Sequence, residues 1–158
     1  MSLLSFFTWC DGSWLGEAIR ASKWLFPVIE SFHLLALAVL GGSVLVVNLS
    51  LLGLGLGRRP VQQVWRDTRP WLEGSLAVML CSGFLLFTSE ALKLYYHEAF
   101  WVKMTALALS LLFTATVQRK TALADPDFVT PLRSRTVGIV SILLWSAVGA
   151  GGRWIGFS

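Results

Sequence analysis

Residues 24–42 read WLFPVIESFHLLALAVLGG, from Trp24 to Gly42, and what surrounds this stretch decides the fold. Apart from Glu30 and His33 it is apolar or neutral, and it runs on to about Leu56 without a charged side chain. A helix crossing a hydrocarbon core of about 30 Å needs about 20 such residues at about 1.5 Å each, so this block is more than long enough. Three further apolar blocks follow, at about 71–92, 100–117 and 137–155.

The whole chain agrees with that solvent. Of 158 residues, 55% are hydrophobic and 14% charged, and the mean hydropathy is +0.67. Backbone polar groups in lipid must be satisfied within the segment, which makes helices the default, and no repeating alternation suggests a barrel. The expectation is an all-α integral membrane protein: a four-transmembrane-helix bundle forming a single membrane domain over 1–158, with spans at about 25–56, 71–92, 100–117 and 137–155. The first block exceeds one perpendicular crossing, so it should tilt, protrude, or bend near Pro27 or the series Gly53, Gly55 and Gly57. Gly57, Arg58, Arg59 and Pro60 mark its end.

Orientation follows from the short loops. The first loop holds Arg58, Arg59, Arg66 and Arg69, and the last holds Arg119, Lys120, Arg133 and Arg135. The opposite side carries Arg20, Lys23, Lys93, Lys103 and Arg153. The denser two loops are expected in the cytoplasm and both termini in the periplasm. That topology accounts for the net charge of +4 and leaves no argument for nucleic acid.

Residues 1–23 lack a signal-peptide plan and suit an N-terminal interfacial segment, with Phe6, Phe7, Trp9, Trp14 and Trp24 at headgroup level. A short helix is expected over about Ser13 to Ala21, capped by Asp11 or Ser13. The competing arrangement folds this segment over the outer end of the bundle. Cys10 falls at the interface and Cys81 near mid-span, too far apart for a disulfide.

Chemistry belongs where charge is embedded, because an ionisable side chain inside a span costs about 2.5–3.5 kcal/mol on insertion scales. Glu30 sits roughly 7 Å and His33 roughly 12 Å below the outer boundary, on one helix face. Glu90, Lys93, His97, Glu98, Lys103, Met104 and Arg153 all fall at the same end, together with Arg20, so the four spans contribute to one outward-facing polar cluster. The inner half offers little beyond Asn48, Glu73 and Ser75.

The Glu30-x-x-His33 spacing lets a carboxylate and an imidazole share a transition-metal ion. Haem b is the other cofactor that fits, with His33 as axial ligand and Met104 or His97 as the sixth, and with Gly41, Gly42, Gly149, Gly151 and Gly152 leaving room for the ring. The same small residues also suit close helix packing, in which Glu30, His33 and Arg153 neutralise one another. GLGLGRRP follows no strand and is no phosphate loop, and neither Gly-x-Ser-x-Gly nor His-Glu-x-x-His occurs.

Three motifs carry a resemblance: SKWLFPVIESFHLLALAVLGGSVLVVNLSLLGLGL at 22–56, FWVKM at 100–104 and GRWIGF at 152–157. Together they resemble an uncharacterised family of small bacterial inner-membrane proteins, a domain of unknown function, over nearly the whole chain. The resemblance implies a four-span bundle in a bacterial inner membrane, and its motif positions match Arg20, Glu30, His33, Lys103, Met104, Arg153 and Trp154. The family pattern has an Asp and an Arg where this chain has Asn48 and Ser50, a departure that removes charge from the inner side.

Three functions fit these residues. The first is a haem- or metal-binding protein acting as an electron carrier, with no catalytic residue of its own. The second is a structural or assembly subunit whose polar cluster packs helices or docks a membrane or periplasmic partner. The third is an ion or proton pathway, which in a four-helix chain needs a homo-oligomer.

Overall fold

The computed structural model describes residues 3–55 and 59–156, and every element within them is helical. Four helices are long and apolar enough to cross a membrane: Leu25–Leu51, Val61–Ser89, Glu98–Leu123 and Pro131–Ile155. In chain order the elements are α1 (Leu3–Asp11), α2 (Trp14–Ala21), α3 (Leu25–Leu51), α4 (Val61–Ser89), α5 (Ala91–Tyr95), α6 (Glu98–Phe113), α7 (Arg119–Leu123) and α8 (Pro131–Ile155). A π-helical turn, Thr114–Gln118, joins α6 to α7, and a 3₁₀ turn, Pro126–Phe128, precedes α8.

α3 is the central element, packing against α4 on one side and α8 on the other, while α6 packs against α8. α7 reaches α4 at the end of the bundle opposite the termini. We call that the loop end, and the end carrying α1, α2, α5 and the C-terminus of α8 the terminal end.

The helix limits have local causes. Pro27 lies in the first turn of α3, where its missing N–H costs nothing, so it forces no bend. α3 stops at Leu51, short of the apolar block, because Gly53 takes φ +78° and closes it: Gly53 N donates to Ser50 O at 3.1 Å and Leu54 N to Leu49 O at 2.9 Å. The end markers Gly57 and Arg58 lie outside the described residues. α4 starts at Val61, well before the apolar block, and its first turns carry Arg66, Asp67, Arg69 and Glu73, with Arg69 Nε donating to Glu73 Oε1 at 2.6 Å.

Hydroxyls inside the long helices satisfy themselves locally. Ser43, Ser75, Ser82, Ser110 and Thr116 each donate to the carbonyl four residues back. The close helix crossings occur at glycines: a Cβ on Gly138 of α8 would lie 3.2 Å from Asn48 O of α3, and one on Gly151 would lie 3.0 Å from Lys103 Cβ of α6. Gly41, Gly42 and Gly149, expected as packing positions or as room for a ring, instead face open space, with nothing within 4 Å of a built Cβ.

The N-terminal segment does more than lie at a boundary. Ser13 caps α2 as expected, its Oγ accepting from Gly16 N at 3.2 Å. Phe7 and Cys10, three residues apart on α1, are buried against Ala91, Leu94 and Phe100, with Phe87, Tyr95 and Ile155 around them. Phe7 meets Phe87 and Tyr95 edge-on at 5.1 Å centroid separation. Gly16 sits so close to Thr88 O that no side chain fits there. Trp9, Trp14 and Trp24 remain exposed on the outside of this cap.

Candidate functional site

Arg20 fixes the cap. Its guanidinium donates to Ser89 O at 2.8 Å and to Asp11 O at 2.6 Å, and lies 3.4 Å from the Asp11 carboxylate, so one side chain ties α1, α2 and the end of α4 together. Asp11 Oδ1 also accepts from Leu92 N at 3.3 Å. Burial pushes the Cys10 thiol up, which keeps it protonated and poorly nucleophilic.

Below this cap, His33 of α3 turns toward α4. Its Nδ1 lies 2.8 Å from Ser82 Oγ, and a Cβ on Gly83 would come within 3.2 Å of Cε1, so Ser82 and Gly83 form one wall of the imidazole pocket. The single hydroxyl hydrogen of Ser82 is given to Val78 O at 2.6 Å. Ser82 Oγ is therefore the acceptor and His33 Nδ1 the donor, an assignment that follows from the hydrogen-bond network. Nε2 is left with its lone pair.

Lys103 of α6 enters from the other side. Its stem lies on Gly151 and its Nζ is 3.6 Å from where a Cβ on Gly152 would be, so the two glycines are what lets a half-buried lysine pass between α6 and α8. Like His33, Lys103 is only partly buried. No carboxylate pairs with either group among the described residues.

The other expected site residues fall elsewhere. Three residues turn about 300° on an α-helix, so Glu30 sits about 60° round from His33. That difference carries it to the exposed side of α3, where it makes no ion pair or hydrogen bond among the described residues. Met104, next to Lys103, points outward and is 42% exposed. His97 caps α6, its Nδ1 accepting from Ala99 N at 3.2 Å. Glu90 and Lys93 make a surface pair at 3.8 Å, and Arg153 is exposed on the last turns of α8. Among the described residues no three His, Cys, Asp or Glu side chains gather closely enough to hold a metal ion.

Toward the loop end lies a second polar layer richer than Asn48, Glu73 and Ser75 had suggested. Gln118 Nε2 donates to Asn48 Oδ1 at 2.8 Å, and Asn48 Nδ2 donates to Ser141 Oγ at 3.1 Å. All three residues are fully buried, and they link the π turn, α3 and α8. Trp145 Nε1 donates to Thr114 Oγ1 at 3.2 Å beside them. Gln118 Oε1 is buried without a hydrogen-bond partner among the described residues. Gln118 follows directly on an apolar block, which hides it in the sequence, and its only signal there is a depth matching that of Asn48.

A family of unknown function, DUF6644, matches residues 6–158. The chain belongs to this family. No curated protein and no solved structure matches it. Membership in DUF6644 covers the cap, the His33 layer and the Asn48 layer alike, so all three are parts of one family domain.

Proposed function

We propose that this DUF6644 protein is a multi-pass protein of the bacterial inner membrane, with both termini periplasmic, that binds haem b or a transition metal through His33 and serves electron transfer. The observation that carries the reading is the state of His33. Its Nδ1 lies 2.8 Å from Ser82 Oγ, and no hydrogen bond to Nε2 occurs among the described residues, an arrangement that suits a metal-ligating histidine oriented by an outer partner. Lys103 adds a half-buried positive charge that makes no ion pair with a carboxylate among the described residues. A group offering both a metal and acidic substituents, as haem does, answers both. This chain contributes one such ligand nitrogen.

The test is an absorption spectrum with elemental analysis of the full chain, purified in detergent from cells supplied with haem and metals. A Soret band or stoichiometric metal that disappears in His33→Ala supports the reading, and colourless, metal-free wild-type protein overturns it.

A second reading, a structural or assembly subunit, is supported by the open surroundings of Gly41 and Gly42 on α3 and of Gly149 on α8. It expects His33→Ala to lower melting temperature or oligomer yield while the wild type carries no cofactor.

A further inference from the structure

Near the loop end α8 lies directly on α3: a Cβ on Gly138 would meet Asn48 O at 3.2 Å, and Asn48 Nδ2 donates to Ser141 Oγ at 3.1 Å. On an α-helix both seven and eleven residues return to within about 20° of the starting azimuth. Gly149 therefore continues the α3-facing line of Gly138, and Gly41 the α8-facing line of Asn48. They also share one level, since Gly41 lies about 10 Å from Asn48 along α3 and Gly149 about 12 Å from Ser141 along α8. Yet a Cβ on either glycine would meet nothing within 4 Å. The two helices thus part toward the terminal end and leave a crevice, with Trp145, packed against Ala36, Leu40 and Val44, at its base.

Lys103 brings a charge to this crevice. A Cβ on Gly151 would lie 3.0 Å from Lys103 Cβ, and one on Gly152 would lie 3.6 Å from Lys103 Nζ. Fourteen residues beyond Gly138, Gly152 is within about 40° of the α3-facing line, whereas Gly151 points about 140° away from it. The lysine side chain therefore crosses α8 on two glycines and carries its ammonium from the α6 side to the α3 side, one turn beyond Gly149. There it matches His33 in depth, Gly152 being about 21 Å from Gly138 along α8 and His33 about 22 Å from Asn48 along α3. Lys103 makes no ion pair with Glu30 or any other carboxylate among the described residues.

We propose that this crevice is a porphyrin site in which Lys103 binds a propionate, so that the ligand held by His33 is haem rather than a bare metal ion. The inference rests on the reading of His33 as a metal ligand and narrows it. A half-buried ammonium within a span calls for a counter-anion. A bare cation on His33 would be repelled by it, whereas a ring carrying carboxylates supplies the missing charge. The donor set points the same way, because no three His, Cys, Asp or Glu side chains gather among the described residues to hold an ion unaided. The bare faces of Gly41 and Gly149 give a flat, apolar ring the width that side chains there would fill.

The experiment titrates the detergent-purified full chain, prepared from haem-depleted cells, with protohaem and with its dimethyl ester, whose propionates carry no charge, following the Soret band. Wild type binds the free acid at least about tenfold more tightly than the ester; Lys103→Arg keeps that preference, and Lys103→Met abolishes it while still giving a Soret band. Gly149→Leu, whose side chain enters open space, keeps the melting temperature of the unliganded protein and loses at least about tenfold in haem affinity. Equal affinity of wild type for acid and ester, a preference that survives in Lys103→Met, or unchanged affinity in Gly149→Leu overturns the proposal and leaves His33 as a ligand. Saturable binding of a bare metal ion with no Soret band overturns it and keeps the metal reading, and binding of neither overturns both.

Discussion

The two polar layers of the bundle are built on opposite plans. The Asn48–Gln118–Ser141 layer is neutral and fully buried, and each amide nitrogen has found its acceptor. The His33–Ser82–Lys103 layer is ionisable and only partly buried, and among the described residues neither His33 Nε2 nor the Lys103 ammonium makes a hydrogen bond or an ion pair. A neutral, buried layer of amides and hydroxyls holds helices in register, here with the Gln118 Oε1 acceptor to spare among the described residues. An ionisable layer with spare valence is poor glue and a better site.

The largest expected effect falls on the ligand. His33→Ala removes the bound chromophore or metal completely by absorption spectroscopy, whereas Asn48→Ala leaves it in place; equal loss in both variants would erase the distinction between the layers. Next comes packing at the neutral layer. Gly138→Val pushes α8 away from Asn48 O and costs about 1–3 kcal/mol in an unfolding titration. Asn48→Leu leaves Gln118 Nε2 without its acceptor and costs about 1–2 kcal/mol by the same measurement.

A finer probe separates holding a ligand from holding a helix. Ser82→Ala releases His33 Nδ1 and weakens metal or haem affinity by about tenfold, with a smaller change in stability. If melting falls as far as in Asn48→Leu while affinity stays constant, Ser82 is packing rather than orienting.

The smallest effect concerns the cap. The Cys10 thiol is raised by burial, so its neutral form is favoured in the folded chain and the stability this represents is lost as pH rises through the folded value. Iodoacetamide should therefore modify Cys10 more slowly in folded than in unfolded protein at neutral pH, with the rate climbing toward alkaline pH. Equal rates would mean that α1 is not docked.

Much of this architecture is legible in the residues themselves. The apolar blocks announce four long helices, and Ser13 announces the start of α2. The end of α3 is less legible, because Gly53, Gly55 and Gly57 look alike in the sequence and only Gly53 takes the left-handed turn among those described. His33 stands out as the one histidine in a span, but Ser82, its partner 49 residues away, does not. Glu30 looks like its neighbour on a helix face, and a rotation of about 60° suffices to put it outside. Gln118 owes its place to a π turn, which shifts helical phase locally and is not announced by propensity.

What the sequence determined alone is the number of helices long and apolar enough to cross a membrane, because apolar length and the need to satisfy backbone groups internally are local properties of each segment. Tertiary structure decided which polar groups meet. That depends on azimuth and on how closely backbones approach at Gly83, Gly138 and Gly151, quantities that exist only once four helices lie against one another.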